Sequence, residues 1–159
     1  MGNTIQETMI NKQVDAIMQR IATRANRRKN AIATIIYRRI ISTSPLWSGA
    51  YVDSHHIGIG RTNTRVSKIQ TGLYNRASNS KARQIRSVAM ARELSRLKKA
   101  SLNHKIIISN SIKHAKNIEY LGFKRGTFTS PPRYVYKQAL NNFRMNEKFS
   151  SMTTIKGKI

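Results

Sequence analysis

The chain has 159 residues, with 30 Lys and Arg against 6 Asp and Glu, a formal net charge of +24. Self-repulsion on that scale opposes the compact state, so a large polyanion or an acidic assembly is the expected partner and an ordinary metabolic enzyme is not. The absence of Cys excludes a disulfide framework and a thiolate metal site, and no apolar run approaches the ~20 residues of a membrane span.

The length fits one domain, and 39% hydrophobic residues predict a modest core. The charge is threaded through the chain rather than held in a tail. Residues 1–19 sum to −1, from Lys12 against Glu7 and Asp15, whereas residues 20–40 carry seven basic residues and no acid. The start, Met1-Gly2-Asn3-Thr4-Ile5-Gln6, lacks the hydroxyl residue expected for myristoylation, and no signal-peptide core follows it.

Thr4-Ile5-Gln6-Glu7 reads as a capping box that opens a helix. Apolar residues then recur at steps of three and four from Ile5 through Met9, Ile10, Val14, Ile17 and Ile21 to Ile32, Ile36 and Ile40. With no Pro or Gly between Asn3 and Ser44, the pattern predicts a helix over about 4–43. At 1.5 Å per residue it is roughly 55–60 Å long, more than a domain of this size covers, so part of it should project or pack on a neighbour. The polar section Arg24–Asn30 interrupts the stripe and marks a possible break. Ser44-Pro45 ends the helix.

Tyr51–Ile59 alternates as a strand, with Tyr51, Asp53, His55, Ile57 and Ile59 on one side. Gly58 and Gly60 suggest a hairpin turn, a weak second strand follows over Arg65–Tyr74, and Asn75–Ser80 reads as loop. Helix formers dominate from Lys81 to Ala100. Lys105–Ser109 reads as a short buried strand, Ile112–Tyr120 as a short helix and Gly122–Ser130 as a loop. Pro131-Pro132 opens a last helix, since Pro is tolerated in a first turn. These elements predict an α+β fold, with a long N-terminal helix and further helices packed on a small antiparallel sheet. They form a single domain over 1–149, followed by a frayed, polar and basic tail over 150–159.

Chemistry-bearing constellations are sparse. His55 and His56 beside Asp53 invite a metal reading, but neighbours on a strand point to opposite faces, so no metal site is expected. Gly58-Ile59-Gly60-Arg61 is a fragment of a phosphate loop without its third Gly or a following helix. The six carboxylates form no close pair for acid–base or two-metal work. No catalytic residue, no cofactor and no enzymatic activity are expected.

The basic residues Arg24, Arg27, Arg28, Lys29, Arg38, Arg39, Arg83, Arg86, Lys98 and Lys99 are the candidate contacts to nucleic acid or to an acidic partner. They suit phosphates rather than base edges. Tyr37, Tyr51 and Tyr74 are too isolated for a stacking platform.

Two segments carry a resemblance. Ser44-Pro45-Leu46-Trp47-Ser48-Gly49-Ala50-Tyr51-Val52-Asp53-Ser54 resembles the Pro-x-x-Thr-Gly-x-Leu-x-x-Ser turn of the small head–tail joining and tail-completion proteins of long-tailed phages. Ile107–Gly122, followed by Pro131-Pro132-Arg133-Tyr134-Val135, is similar to that family's Asn-x-x-x-Tyr-Ala-x-x-x-Glu-x-Gly … Pro-x-Pro-Phe stretch. The motif positions are Pro45, Gly49, Ala115, Glu119, Gly122, Pro131 and Pro132. The chain departs from the pattern at Ser48, at His114, by an extra residue before Gly122, and at Arg133-Tyr134.

The resemblance implies a virion structural subunit without catalysis or cofactor, made in the host cytoplasm. It would form a homo-oligomeric ring in the neck or the head-proximal tail, near the DNA channel. The implied partners are other copies, neighbouring neck, tail-terminator or tail-tube proteins, and packaged double-stranded DNA, with no membrane. The alternative from charge alone is a stand-alone, non-specific nucleic-acid-binding protein.

Overall fold

The computed structural model describes residues 2–46, 49–67, 79–125 and 127–156. Helix α1 (Gly2–Thr43) leads into a one-turn helix α2 (Ala50–Asp53) and strand β1 (His55–Ile59). Helix α3 (Asn79–Leu97) and strand β2 (Ile106–Asn110) follow. Next come a π-helical turn (Asn117–Leu121), a hairpin of β3 (Phe123–Arg125) and β4 (Phe128–Ser130), and helix α4 (Val135–Lys156). The fold is α+β, with the long helix and its companions on a small antiparallel sheet. In that sheet His55 pairs with Asn110, Ile57 with Ile108 and Ile59 with Ile106.

The second half of α1 organises the core. Ala33, Tyr37 and Ile41 meet Val52, Ile57, Ala89 and Leu97 on one side, and Ile40 meets Tyr51, Val135 and Ala139 on the other. Tyr37, Ile40 and Ile41 are fully buried, each contributing about 1.5–3 kcal/mol of transfer free energy.

The first half of α1 is different. Met9, Ile10, Val14, Ile17, Met18 and Ile21 are each 51–61% exposed. The core-facing positions 26, 30, 33, 37 and 40 and the exposed positions 10, 14, 17 and 21 are separate stripes, roughly 150° apart around the axis at 3.6 residues per turn. The upstream half therefore projects as an arm whose apolar face points away from the chain's own core.

Helix α1 is unbroken through Arg24–Asn30, contrary to the break suggested by its polarity. The polar side chains cap the end of α3. Asn30 Nδ2 donates to Leu97 O at 3.2 Å and Asn26 Nδ2 to Ala100 O at 3.0 Å. Lys29 Nζ donates to the carbonyls of Leu102 and His104, both at 2.9 Å, and to that of Ser101. A helix C-terminus favours a cation, and these side chains bind the last carbonyl of α3 and those of the turn after it, so the gap in the stripe fastens the end of α3 to α1.

Further expectations are corrected. Tyr51–Asp53 is helical rather than extended, because Gly49 turns the chain at φ +82° and its carbonyl accepts from Asp53 N at 2.9 Å. An added Cβ at Gly49 would lie 2.5 Å from Ile85 Cδ1. Gly58 is the fourth residue of β1, so no hairpin turn lies there. β1 pairs with the distant β2 instead. The predicted loop 122–130 holds the β3–β4 hairpin. Helix α4 begins at Val135, not at Pro131-Pro132, because the amides of Arg133 and Tyr134 are taken by Ile118 O at 2.8 Å and Glu119 O at 3.2 Å. Helix α3 starts at Asn79, within the predicted loop, and α4 continues to Lys156, within the predicted tail. Residues 65–67 of the weak second strand have no regular structure, and 68–74 lie outside the described residues, as do Trp47 and Ser48.

Candidate functional site

Two arrangements carry polar chemistry: a buried network around β1 and a basic outer surface. In the network Glu93, on α3, is fully buried. Its Oε2 accepts from Ile57 N at 2.9 Å and lies 3.3 Å from Arg96 Nε. Its Oε1 accepts from Arg92 Nε at 2.7 Å and faces His56 Nδ1 at 3.2 Å. Burial alone raises a carboxyl pKa, but these donors outweigh it and hold Glu93 down at about 2. Arg92 also donates from Nη1 to Asp53 Oδ1 at 2.6 Å and from Nη2 to Asp53 O at 2.8 Å. Asp53 is buried, which favours its neutral form, yet Ser67 and Arg92 lower its pKa. Burial opposes the charge on Arg92, while Asp53 and Glu93 more than offset it and raise its pKa.

His55 points away from Glu93 into a second chain of hydrogen bonds. Its Nε2 lies 2.8 Å from Ser44 Oγ, and Ser44 Oγ donates to Ile40 O at 2.6 Å. A hydroxyl that donates to a carbonyl accepts from the ring, so Nε2 carries the proton. Nδ1 then accepts from the Tyr136 hydroxyl at 2.9 Å. Burial, and His56 beside it, push His55 down to about 3. The neutral ring is thus fully partnered. Burial likewise raises the hydroxyl pKa values of Tyr37, Tyr51 and Tyr136.

Ser44 beside His55 has the residue types of a nucleophile and a base. Both are buried, and Ser44's proton is committed to a backbone carbonyl. Glu93 is acceptor-only, with every donor charged or from the backbone or a ring. Neither group is poised to move a proton to a substrate. Among the described residues, no three His, Cys, Asp or Glu side chains are grouped to hold a metal ion, and no helix is long and apolar enough to cross a membrane.

The two motif segments meet in one clasp. The Tyr51 hydroxyl donates to Glu119 Oε1, and Tyr136 N approaches Glu119 Oε2 at 3.4 Å. Asn110 Nδ2 donates to Tyr51 O at 3.0 Å, and Ser111 N to Ser54 O at 3.1 Å. Ala115 packs beside Tyr51 and Val135 in the second core cluster. Gly122 holds φ +73°, and an added Cβ would lie 2.4 Å from Ser130 O. Pro45 follows the end of α1, and Pro131 and Pro132 lie in the irregular segment that leads into α4. The two motif segments therefore dock on each other.

The ten predicted basic residues do not form one patch. Arg24, Arg27 and Arg28 are exposed near the root of the arm, and Lys98 and Lys99 are exposed in the turn that Asn26 and Asn30 hold. Lys29 is instead committed to backbone carbonyls. Arg38 and Arg39 are exposed on α1 and line an open cleft of about 710 Å³ between α1, α3 and α4. Arg83 is exposed on α3. Arg86 is half-buried, donates to Ser44 O at 3.1 Å, and has its pKa lowered by burial.

Sequence reasoning missed the inner roles of Asp53, Glu93 and Glu119. No local signal set them apart from Glu7 and Asp15, because their partners lie far along the sequence. Among the described side chains these three carboxylates are buried, and the exposed ones, Glu7 and Asp15, are both on the arm.

No protein-family model, curated protein or solved structure matches this chain.

Proposed function

We propose that this chain is a virion structural protein, a tail-completion or head–tail connection subunit that forms an oligomeric ring near the DNA channel of a long-tailed phage. The observation that carries the reading is the arm: about 20 residues of helix whose apolar stripe faces away from the core the chain builds for itself. An exposed stripe of that size marks an interface, so the arm belongs against another subunit. The clasp between the two motif segments supports the family resemblance, and the spent polar network supports a structural rather than enzymatic role. The basic body suits a place beside packaged DNA, where many copies multiply weak phosphate contacts. Neighbouring neck, tail-terminator or tail-tube proteins are the other partners.

The test is the mass and symmetry of the purified full chain, by native mass spectrometry and negative-stain imaging across a salt series. One closed stoichiometry that persists at high salt is expected. A monomer at every salt concentration overturns the reading. A second reading, a stand-alone polyanion binder, is favoured by the lack of exposed carboxylates on the body among the described side chains. It predicts a monomer or dimer whose DNA affinity falls steeply with salt.

A further inference from the structure

We infer that the arm of one copy is a helix-in-groove ligand for the cleft between α1, α3 and α4 of a second copy. This deepens the ring reading, and rests on it in one respect, that the partner is another copy of this chain.

Four observations converge. First, the arm cannot fold back onto its own body, because α1 runs as one unbroken helix from Gly2 to Thr43, which leaves the exposed stripe at Ile10, Val14, Ile17 and Ile21 without a partner in its own chain. Second, that spacing of four, three and four presents one ridge over three turns, the pattern of an amphipathic helix that enters a groove. Third, the cleft offers a matching receptor. Ile35, Met90, Leu94 and Phe143 give it an apolar lining, Ala91 keeps one wall low, and Arg38 and Arg39 stand at its edge.

The fourth observation chooses the occupant. Among the described residues, no carboxylate lines the cleft. The exposed carboxylates among the described side chains, Glu7 and Asp15, are on the arm, and residues 1–19 are the one net-negative stretch of its helix. Two basic bodies repel each other more strongly than a body repels the nearly neutral arm. The contact is therefore between unlike surfaces, which propagates from copy to copy until it closes.

The chain has no Cys, so engineered thiols have no background. Full-length Val14→Cys and Ala91→Cys proteins, mixed and mildly oxidised, should give a disulfide dimer that joins the two different variants in clear excess over either variant alone. Ile17→Asp, on the exposed stripe, should leave the melting temperature of the folded subunit unchanged. It should weaken self-association more than tenfold, as expected when a buried Ile side chain is replaced by a charge.

Self-linking of Val14→Cys in preference to the mixture places arm on arm and overturns the inference. A closed ring without the mixed cross-link, and indifferent to Ile17→Asp, also overturns it while leaving the ring reading intact. The mixed cross-link in an assembly of only two copies keeps the arm in the cleft and overturns the ring. A monomer without cross-links removes both.

Discussion

The Tyr51 hydroxyl donates to the Glu119 carboxylate across a sequence separation of 68. One partner sits on the single turn of α2 and the other in the π-helical turn before the hairpin. Both are buried, so neither can turn to water if the other is lost. Tyr51→Phe should cost about 1–3 kcal/mol, the penalty for leaving a buried acceptor short of a donor. Urea unfolding of Tyr51→Phe, Glu119→Gln and the double variant forms the cycle. A double variant as unstable as the sum of the singles means the pair is uncoupled.

Acid should destabilise the fold in two stages. His55 is held neutral down to about 3, whereas in the unfolded chain it takes up a proton near 6.5. The unfolded state therefore binds more protons between those values, and stability falls as pH drops below about 6.5, by up to about 1.4 kcal/mol per pH unit. Glu93, at about 2 in the fold against 4.5 unfolded, adds a second loss from about pH 4.5 downward. Thermal melts of the native chain and His55→Gln from pH 7.5 to 4 separate the stages. The variant should lose the slope between pH 6.5 and 4.5, and an unchanged slope means His55 is not its source.

Lys29 and Arg24 are five residues apart and belong to different physics. Lys29→Met strips the donor from the carbonyls of Leu102 and His104 and should cost about 1–2 kcal/mol. Arg24→Met should stay within about 0.5 kcal/mol in stability while reducing the salt slope of binding to duplex DNA by nearly one. Chemical denaturation and a salt series of DNA binding read the two effects separately. Equal stability losses would remove the capping role of Lys29.

Gly122 and Gly60 share a positive φ, +73° and +74°, and differ in surroundings. Gly60→Ala meets nothing within 4 Å and should cost only the left-handed penalty of about 1–2 kcal/mol. Gly122→Ala adds a contact on Ser130 O at 2.4 Å and should cost clearly more. Calorimetry on both variants gives the difference, and equal losses mean that the hairpin yields to the added methyl.

The long helix was legible because its stripe and Pro45 are local, although it begins at Gly2, ahead of the capping box read at Thr4. What Asn26, Lys29 and Asn30 do was not, because their acceptors lie about seventy residues further along. Their polarity read as a break when it is a cap. The β3–β4 hairpin escaped because strands of three residues are too short for a period to show. The start of α4 was misplaced because Pro131-Pro132 is a sound local signal, but the amides beyond it are claimed by Ile118 and Glu119. In the candidate site the exposed basic residues were visible from composition. The buried acids that hold β1, α2 and the π-helical turn together became visible only with the tertiary fold.

The capping of α3 has a mechanical consequence. From Glu7 to Asn26 the arm is roughly 28 Å long, whereas the fastenings from Asn26 to Asn30 span about 6 Å, a leverage of roughly fivefold. Force applied at the tip is concentrated on those few side chains and delivered to the end of α3. The arm is thus a lever with its fulcrum at α3, and under load these polar fastenings should slip before the apolar core is disturbed.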